Sequence, residues 1–234
     1  MEETIRDNID AVRKRIEAAA VRSGRPVSAV RLMAVTKTVD DRRILEAVNA
    51  GVQILGENYV QEAKRKIEQM GRIVEWHFIG HLQTNKAKYA ARLFDMVHSI
   101  DRPEVAEELN KRCAIENRIM KILIEVNVSG EATKRGVDPD SVLPLIEIIT
   151  PLSNLSIQGL MTMAPWSDKA EDARPYFIAL RKLRDSIREM NISGIAMAEL
   201  SMGMSGDYEV AVEEGATILR IGSSIFGERP VRSL

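Results

Sequence analysis

Short apolar runs alternate regularly with longer amphipathic runs along this chain, and this pattern leaves few folds open. We count eight strand-like runs, each followed by a helical run or by the start of one. Strands that alternate with helices, without hairpin turns between them, pair in parallel. Eight such units predict an α/β fold, a closed (β/α)8 TIM barrel. An open parallel sheet remains the alternative, because periodicity does not show closure.

The alternating runs occupy most of the 234 residues. The strand-like runs are 31–35, 52–55, 75–80, 95–100, 119–128, 155–161, 194–200 and 216–222. One further helix precedes them, since apolar residues recur at helical spacing at Ile5, Ile9, Val12, Ile16 and Ala19. We expect a single domain over residues 1–234. Its N-terminal helix lies within 1–24 and covers one end or flank of a barrel in 30–228.

Two helices also permit local predictions. Ile44, Leu45 and Val48 are expected on the buried face of the helix that begins at Asp40 or Asp41. Ser141 is expected to cap the helix over residues 142–149.

Composition and charge exclude several classes of protein. Apolar residues make up 45% and charged residues 29%, and a net charge of -1 without a basic stretch argues against nucleic-acid binding. The first residues are polar, unlike a signal peptide, and no apolar run approaches the ~20 residues that span a bilayer. We expect a cytoplasmic protein without membrane contact. Cys113 is the only cysteine, so no internal disulfide is possible.

In a TIM barrel, ligands bind where strands end and loops begin, so polar residues at those points are the candidate functional residues. Lys37 follows the first strand. Apolar surroundings there would lower the pKa of its amine, and a neutral amine can attack an aldehyde to form a Schiff base. The alternative is an ordinary solvated lysine.

Loops rich in glycine and serine follow the last two strands. Their small residues are Ser201, Gly203, Ser205 and Gly206 in one loop and Gly222, Ser223 and Ser224 in the other. Barrels often bind phosphate after their last two strands, through backbone N–H groups and hydroxyls. Ordinary turns and helix caps have similar composition, but two such loops on adjacent strands favour an anion site.

Arg220 interrupts an otherwise apolar strand. A buried charge needs a partner, so this arginine either pairs with a carboxylate, points outward between helices, or faces a ring nitrogen of a ligand. Other strand ends carry Glu57, Asn58, His77, His81, Glu125 and Asn127. The histidines lack metal-ligand spacing with Cys113, so no zinc site is predicted.

Six segments together carry a family resemblance: AVTK at 34–37, GENYVQE, WHFIGHLQTNK, GLMTMAP, LSMGMSGDY and LRIGSSIFG. In this order they resemble the pyridoxal phosphate homeostasis protein family, and the resemblance covers residues 31–227. It implies a barrel like the N-terminal domain of bacterial alanine racemase, with pyridoxal 5′-phosphate (PLP) as cofactor.

The resemblance also implies roles for individual residues. Lys37 would hold PLP as an internal aldimine, and Arg220 would face the pyridine nitrogen. The phosphate would be held by Ser205, Gly222 and Ser223, with Ser224 nearby. The other pocket residues would be Asn58, His81, Met161, Ser201 and Met202. The implied function is storage of PLP or its transfer to PLP-dependent apo-enzymes, without catalysis. We expect a monomer, because the sequence shows no evident exposed apolar stripe.

Two other functions stay open. One is a PLP-dependent amino-acid racemase, because alanine racemase also has an arginine at the ring nitrogen. That enzyme adds a second β domain and a tyrosine from the partner subunit, and we expect neither here, since the sequence ends at Leu234. The other is a barrel that binds a sugar phosphate or nucleotide at the same anion site.

Overall fold

Eight parallel strands form a closed barrel in the computed structural model, which describes residues 4–131 and 133–228. The strands follow one another around the barrel in chain order, and β8 pairs with β1. They are β1 (Arg31–Val35), β2 (Ile54–Glu57), β3 (Glu75–Phe78), β4 (Met96–Ile100), β5 (Met120–Glu125), β6 (Leu155–Met161), β7 (Ile195–Ser201) and β8 (Ile218–Ile221). The predicted TIM barrel is confirmed, and the open sheet is wrong.

Helices connect the strands on the outside of the barrel. They are α1 (Ile5–Arg22), α2 (Asp41–Asn49), α3 (Val60–Met70), α4 (Ala87–Leu93), α5 (Pro103–Ile115), α6 (Val142–Ile149), α7 (Arg174–Glu189), α8 (Tyr208–Glu213) and α9 (Ser223–Phe226). Short 3-10 turns lie at Val27–Ala29, Thr84–Lys86, Pro139–Ser141 and Ala170–Ala173. The expected domain limits at residues 1 and 234 lie outside the described residues. In the part that is described, no helix combines the length and apolar character needed to cross a membrane.

The additional N-terminal helix α1 lies on the flank of the barrel, against α8 and α9. Thr4 caps it and exchanges hydrogen bonds with Asp7, which satisfies N–H groups that the first turn leaves unpaired. Its predicted apolar stripe is buried, and Arg15 Nε donates to Glu209 Oε1 of α8 at 2.7 Å. Of the two positions considered from the sequence, an end or a flank of the barrel, this helix occupies the flank.

The apolar core has two parts, one on each face of the strands. Met33 and Val35 of β1 belong to a small cluster inside the barrel, whereas Ala34 between them belongs to the larger cluster under the helices. Successive side chains of a strand point to opposite faces, which accounts for this division. Because both faces are covered, the strands read in the sequence as continuous apolar runs.

Several local predictions are wrong. Leu45 is 40% exposed, because α2 buries the face that carries Ile44 and Ala47. Ser141 stands directly before α6 but makes no capping hydrogen bond, because it is the last residue of a 3-10 turn and its backbone is already helical. The second strand begins two residues later than expected, at Ile54, and the fifth ends three residues earlier, at Glu125.

Gly159 permits the close pairing of β6 with β7. A Cβ atom at this position would lie 1.9 Å from the carbonyl oxygen of Glu199 on β7. We expect Gly159→Ala to lower the free energy of unfolding by about 2 kcal/mol, because the strands must shift apart. Gly206→Ala is the matched control, since a Cβ there meets no atom within 4 Å. Urea denaturation of both variants measures the difference, and equal midpoints would contradict this prediction.

Candidate functional site

The carboxyl ends of the strands surround a cavity of about 550 Å³. Its lining contains six of the eleven residues implied by the resemblance: Lys37, Asn58, Ser205, Arg220, Gly222 and Ser223. They come from the loops after β1, β2 and β7, from β8 itself, and from the junction between β8 and α9. Residues that are distant in the sequence therefore meet because parallel strands bring their carboxyl ends to one end of the barrel.

Lys37 lies at the mouth of the barrel in a tight turn that directly follows β1. The turn closes through a hydrogen bond from the Val39 N–H to the Thr36 carbonyl oxygen, at 3.0 Å. Thr36 is fully buried, whereas Lys37 is half-buried and lines the cavity. The barrel wall thus holds the backbone of Lys37, and its side chain borders the space in which a ligand would sit.

The two serine-rich loops contact each other directly. Ser205 Oγ accepts hydrogen bonds from the backbone N–H groups of Gly222, at 3.3 Å, and Ser224, at 3.2 Å. The Ser224 hydroxyl in turn donates to the Ser205 carbonyl oxygen, at 3.4 Å. The result is a cluster of hydroxyls and N–H groups on one wall of the cavity, which is the donor chemistry that binds an anion such as phosphate.

Arg220 is buried inside the barrel, so the outward orientation considered from the sequence is wrong. Its Nη1 donates to Ser201 Oγ at 2.9 Å, and its Nη2 donates to the Thr162 carbonyl oxygen at 2.8 Å. Burial lowers the pKa of the guanidinium to about 10, while the nearby carboxylates of Asp207 and Glu125 oppose that shift. Arg220 therefore remains a cation at neutral pH and acts only as a donor.

Behind Arg220, a chain of hydrogen bonds crosses the barrel interior. Ser201 Oγ contacts His98 Nδ1 at 2.9 Å, and His98 Nε2 contacts His77 Nδ1 at 3.0 Å. His77 Nε2 contacts Glu75 Oε2 at 3.1 Å, at the opposite end of the barrel.

The chemistry of these groups sets the direction of the chain. Because Ser201 Oγ accepts from Arg220, its proton points to His98, which then donates to His77, and His77 donates to Glu75. Both imidazoles are neutral in this arrangement, in agreement with burial, which lowers the pKa of His77 and lowers that of His98 further. The chain fixes the Ser201 hydroxyl as an acceptor for Arg220.

Five of the implied residues do not line the cavity. Met161 and Met202 are fully buried, the first inside the barrel and the second under the helices. Ser201 lies behind Arg220, and Ser224 lies behind Ser205. His81 Nδ1 lies 3.7 Å from Asp101 Oδ2, away from the cavity lining.

Asn58 lines the cavity and carries an unsatisfied polar atom. Its Oδ1 is buried and has no hydrogen-bond partner among the residues that the structure describes. A buried acceptor without a partner costs free energy. Within residues 4–131 and 133–228, no group of three or more potential metal ligands is found.

Comparisons with known proteins agree with this architecture. The protein family described as alanine racemase, N-terminal domain, matches residues 5–230. A curated relative from Aquifex aeolicus (strain VF5), named pyridoxal phosphate homeostasis protein, is 47% identical over 225 residues, which cover 95% of this chain and 97% of the relative.

Two solved structures have folds similar to that of this chain. PipY of Synechococcus elongatus PCC7942, solved with PLP bound, is 34% identical with a TM-score of 0.79, over 92% of this chain and 100% of that chain. Alanine racemase from Corynebacterium glutamicum is 16% identical with a TM-score of 0.70, over 96% of this chain and 63% of that one. The second comparison shows a shared fold alone.

Proposed function

The chain belongs to the family of pyridoxal phosphate homeostasis proteins, and from that premise we propose that its cavity binds PLP for storage and transfer. Two serines of the loops after β7 and β8, Ser205 and Ser223, form what we call the serine cluster. The observation on which the proposal rests is that Lys37, Arg220 and the serine cluster border one cavity. Each suits a different part of PLP: an amine for the aldehyde, an N–H donor for the ring nitrogen, and hydroxyls for the phosphate. A volume of about 550 Å³ is also typical of small-molecule sites.

When bound, PLP supplies an aldehyde that reacts reversibly with a primary amine. Lys37 provides that amine at the mouth of β1, while the hydroxyls of Ser205 and Ser223 hold the phosphate on the wall formed by the loops after β7 and β8. Gly222 borders the same wall, and its N–H orients the Ser205 hydroxyl by donating to Ser205 Oγ. Reversible reaction of the aldehyde with Lys37 and binding of the phosphate by the serine hydroxyls are together sufficient for storage.

Arg220 argues against the strong carbanion stabilisation on which most PLP-dependent catalysis depends, although it does not by itself exclude a racemase. PLP enzymes that stabilise carbanions use a protonated ring nitrogen as an electron sink. A guanidinium that stays charged at neutral pH, because its pKa is about 10, disfavours protonation of a nitrogen beside it. We therefore propose a non-catalytic role, with delivery of the cofactor to PLP-dependent apo-enzymes.

A labelling experiment tests the proposal. Purified protein is mixed with PLP, its absorption spectrum is recorded, and the complex is reduced with borohydride and digested for mass spectrometry. We expect a visible band that disappears on reduction, together with a pyridoxyl group on the peptide that contains Lys37. Modification spread over surface lysines, without a saturable visible band, would contradict a specific site.

A parallel assay separates carrier from racemase. The PLP-loaded protein is incubated with single L-amino acids, and D-amino acids are measured by chiral chromatography. We expect no conversion above the rate of free PLP at the same concentration. Conversion well above that rate would replace the carrier role with racemisation.

A further inference from the structure

A buried ionic cluster lies beneath the turn that carries Lys37. We call Glu57, Glu62 and Lys66 the acid–lysine cluster. Lys66 is fully buried, and its Nζ donates to Glu57 Oε1 and to Glu62 Oε1, both at 2.7 Å. Charges are costly to bury, and apolar residues of similar volume often stabilise a core as well or better. A requirement other than packing is therefore the natural reason for this cluster.

The acid–lysine cluster holds both peptide groups that flank Lys37. On the N-terminal side, Lys66 Nζ donates to the Thr36 carbonyl oxygen at 2.5 Å. On the C-terminal side, the Thr38 N–H donates to Glu62 Oε1 at 2.6 Å. The Thr36 hydroxyl makes a further hydrogen bond to the cluster, donating to Glu57 Oε1 at 2.7 Å. The backbone cannot rotate at Lys37 without breaking one of these bonds.

The conformation of Thr38 indicates that this restraint is needed. Thr38 has a φ of 65°, in the left-handed region that β-branched residues rarely adopt. Such a conformation persists only when the surrounding structure holds it in place. Glu62, which accepts the hydrogen bond from the Thr38 N–H, supplies that restraint one residue after Lys37.

We propose that Glu57, Glu62 and Lys66 are positioning residues that hold Lys37 where its amine reaches the aldehyde of PLP. None of the three is among the residues that line the cavity, so they act through the backbone of the turn. The proposal rests on the function proposed above, because it concerns the same lysine and the same ligand. It separates two tasks: the serine cluster and Arg220 bind the body of the ligand, and the acid–lysine cluster places the amine.

Two ligands distinguish positioning from general damage. Pyridoxine 5′-phosphate keeps the ring and phosphate of PLP but carries an alcohol in place of the aldehyde, so it does not react with Lys37. In Glu62→Ala, we expect the dissociation constant for PLP to rise about 10- to 100-fold, as for a misplaced reacting group. The constant for pyridoxine 5′-phosphate should change less than about twofold. Lys66→Met should show the same split.

Glu68→Ala is the matched control, because it removes an exposed carboxylate from the same helix. It should leave both dissociation constants unchanged. Equal weakening of both ligands in Glu62→Ala, or unchanged PLP binding, would overturn the positioning role. If Lys66→Met does not fold, the result for Glu62→Ala alone tests the positioning role. The Glu62 side chain is 21% exposed, so we expect this variant to fold. Failure of the unaltered chain to bind PLP would instead overturn the proposed function, and the two failures are distinguishable.

Discussion

A Lys37→Ala chain is expected to lose the visible absorption band of the PLP-loaded protein entirely. Alanine has no amine, so capture of the aldehyde ends, while the serine cluster and Arg220 still bind the phosphate and the ring. We expect the dissociation constant for PLP to rise at least about 100-fold, which corresponds to about 2.8 kcal/mol. Spectroscopic titration, with equilibrium dialysis for the weak complex, measures both effects.

Lys169→Ala is the matched control, because Lys169 is a second lysine among the residues that line the same cavity. Its removal should keep the band and change PLP affinity little. Lys37 is half-buried at the edge of the barrel, so its replacement should also leave the denaturation midpoint nearly unchanged. A full-strength band in Lys37→Ala, or its loss in Lys169→Ala, would assign the reacting amine to a different lysine.

Most of the fold could be predicted from the sequence because each barrel unit repeats one physical pattern. A strand buried on both faces is a short continuous apolar run, and the helix that covers it is amphipathic. β6 illustrates this, since its predicted limits at residues 155 and 161 agree with the structure. The end of β5 differs from this pattern. Its apolar run continues past Glu125, but Val126 bridges Val137 instead of extending the barrel strand.

The location of the site could be predicted for the same reason, but its depth could not. Alternation tells which residues point inward, but it does not tell at which layer of the barrel the core ends and the cavity begins. Met161 was expected in the pocket, yet it is packed inside the barrel, and Met163 lines the cavity. In the next loop Met202 is buried, and Met204 lines the cavity.

Hydrogen-bond partnerships between polar residues that are distant in the sequence could not be predicted. His77 and His98 are 21 residues apart, and they meet only because β3 and β4 are adjacent with one particular register. Lys66 looks like any polar residue of an amphipathic helix, although its Nζ is buried against Glu57. Only the histidine pair has a signal in the sequence, and it is weak: each of two neighbouring strands that are otherwise apolar contains one histidine.

Glu125 should make the stability of the protein depend on pH. It ends β5, is only 3% exposed, and burial raises the pKa of its carboxyl from an ordinary value of 4.5 to about 7. Asp101 raises this pKa as well, while Arg220 and Arg135 oppose the shift. The folded state therefore holds this proton more tightly than the unfolded chain does.

The sign of the effect follows from linkage. Below about pH 4.5 the Glu125 carboxyl is protonated in both the folded and the unfolded state, so its burial as a charge does not lower the free energy of unfolding. As pH rises from about 4.5 to about 7, the unfolded chain loses the proton first, so the folded state becomes relatively less stable. Above about pH 7 the loss is complete. A difference of 2.5 pKa units (7 minus 4.5) corresponds to about 3 kcal/mol.

Glu125→Gln removes this titration while keeping the shape of the side chain. We expect the variant to match the parent near pH 4 and to exceed its free energy of unfolding by up to about 3 kcal/mol at pH 8. Urea denaturation of both proteins across this range measures the difference, in which the other titrating groups largely cancel. Glu147→Gln, on an exposed position of α6, should stay within about 0.5 kcal/mol of the parent. A Glu125→Gln difference that is the same at pH 4 and pH 8 would mean that burial does not hold this proton, and that Arg220 balances Glu125 as a charged partner.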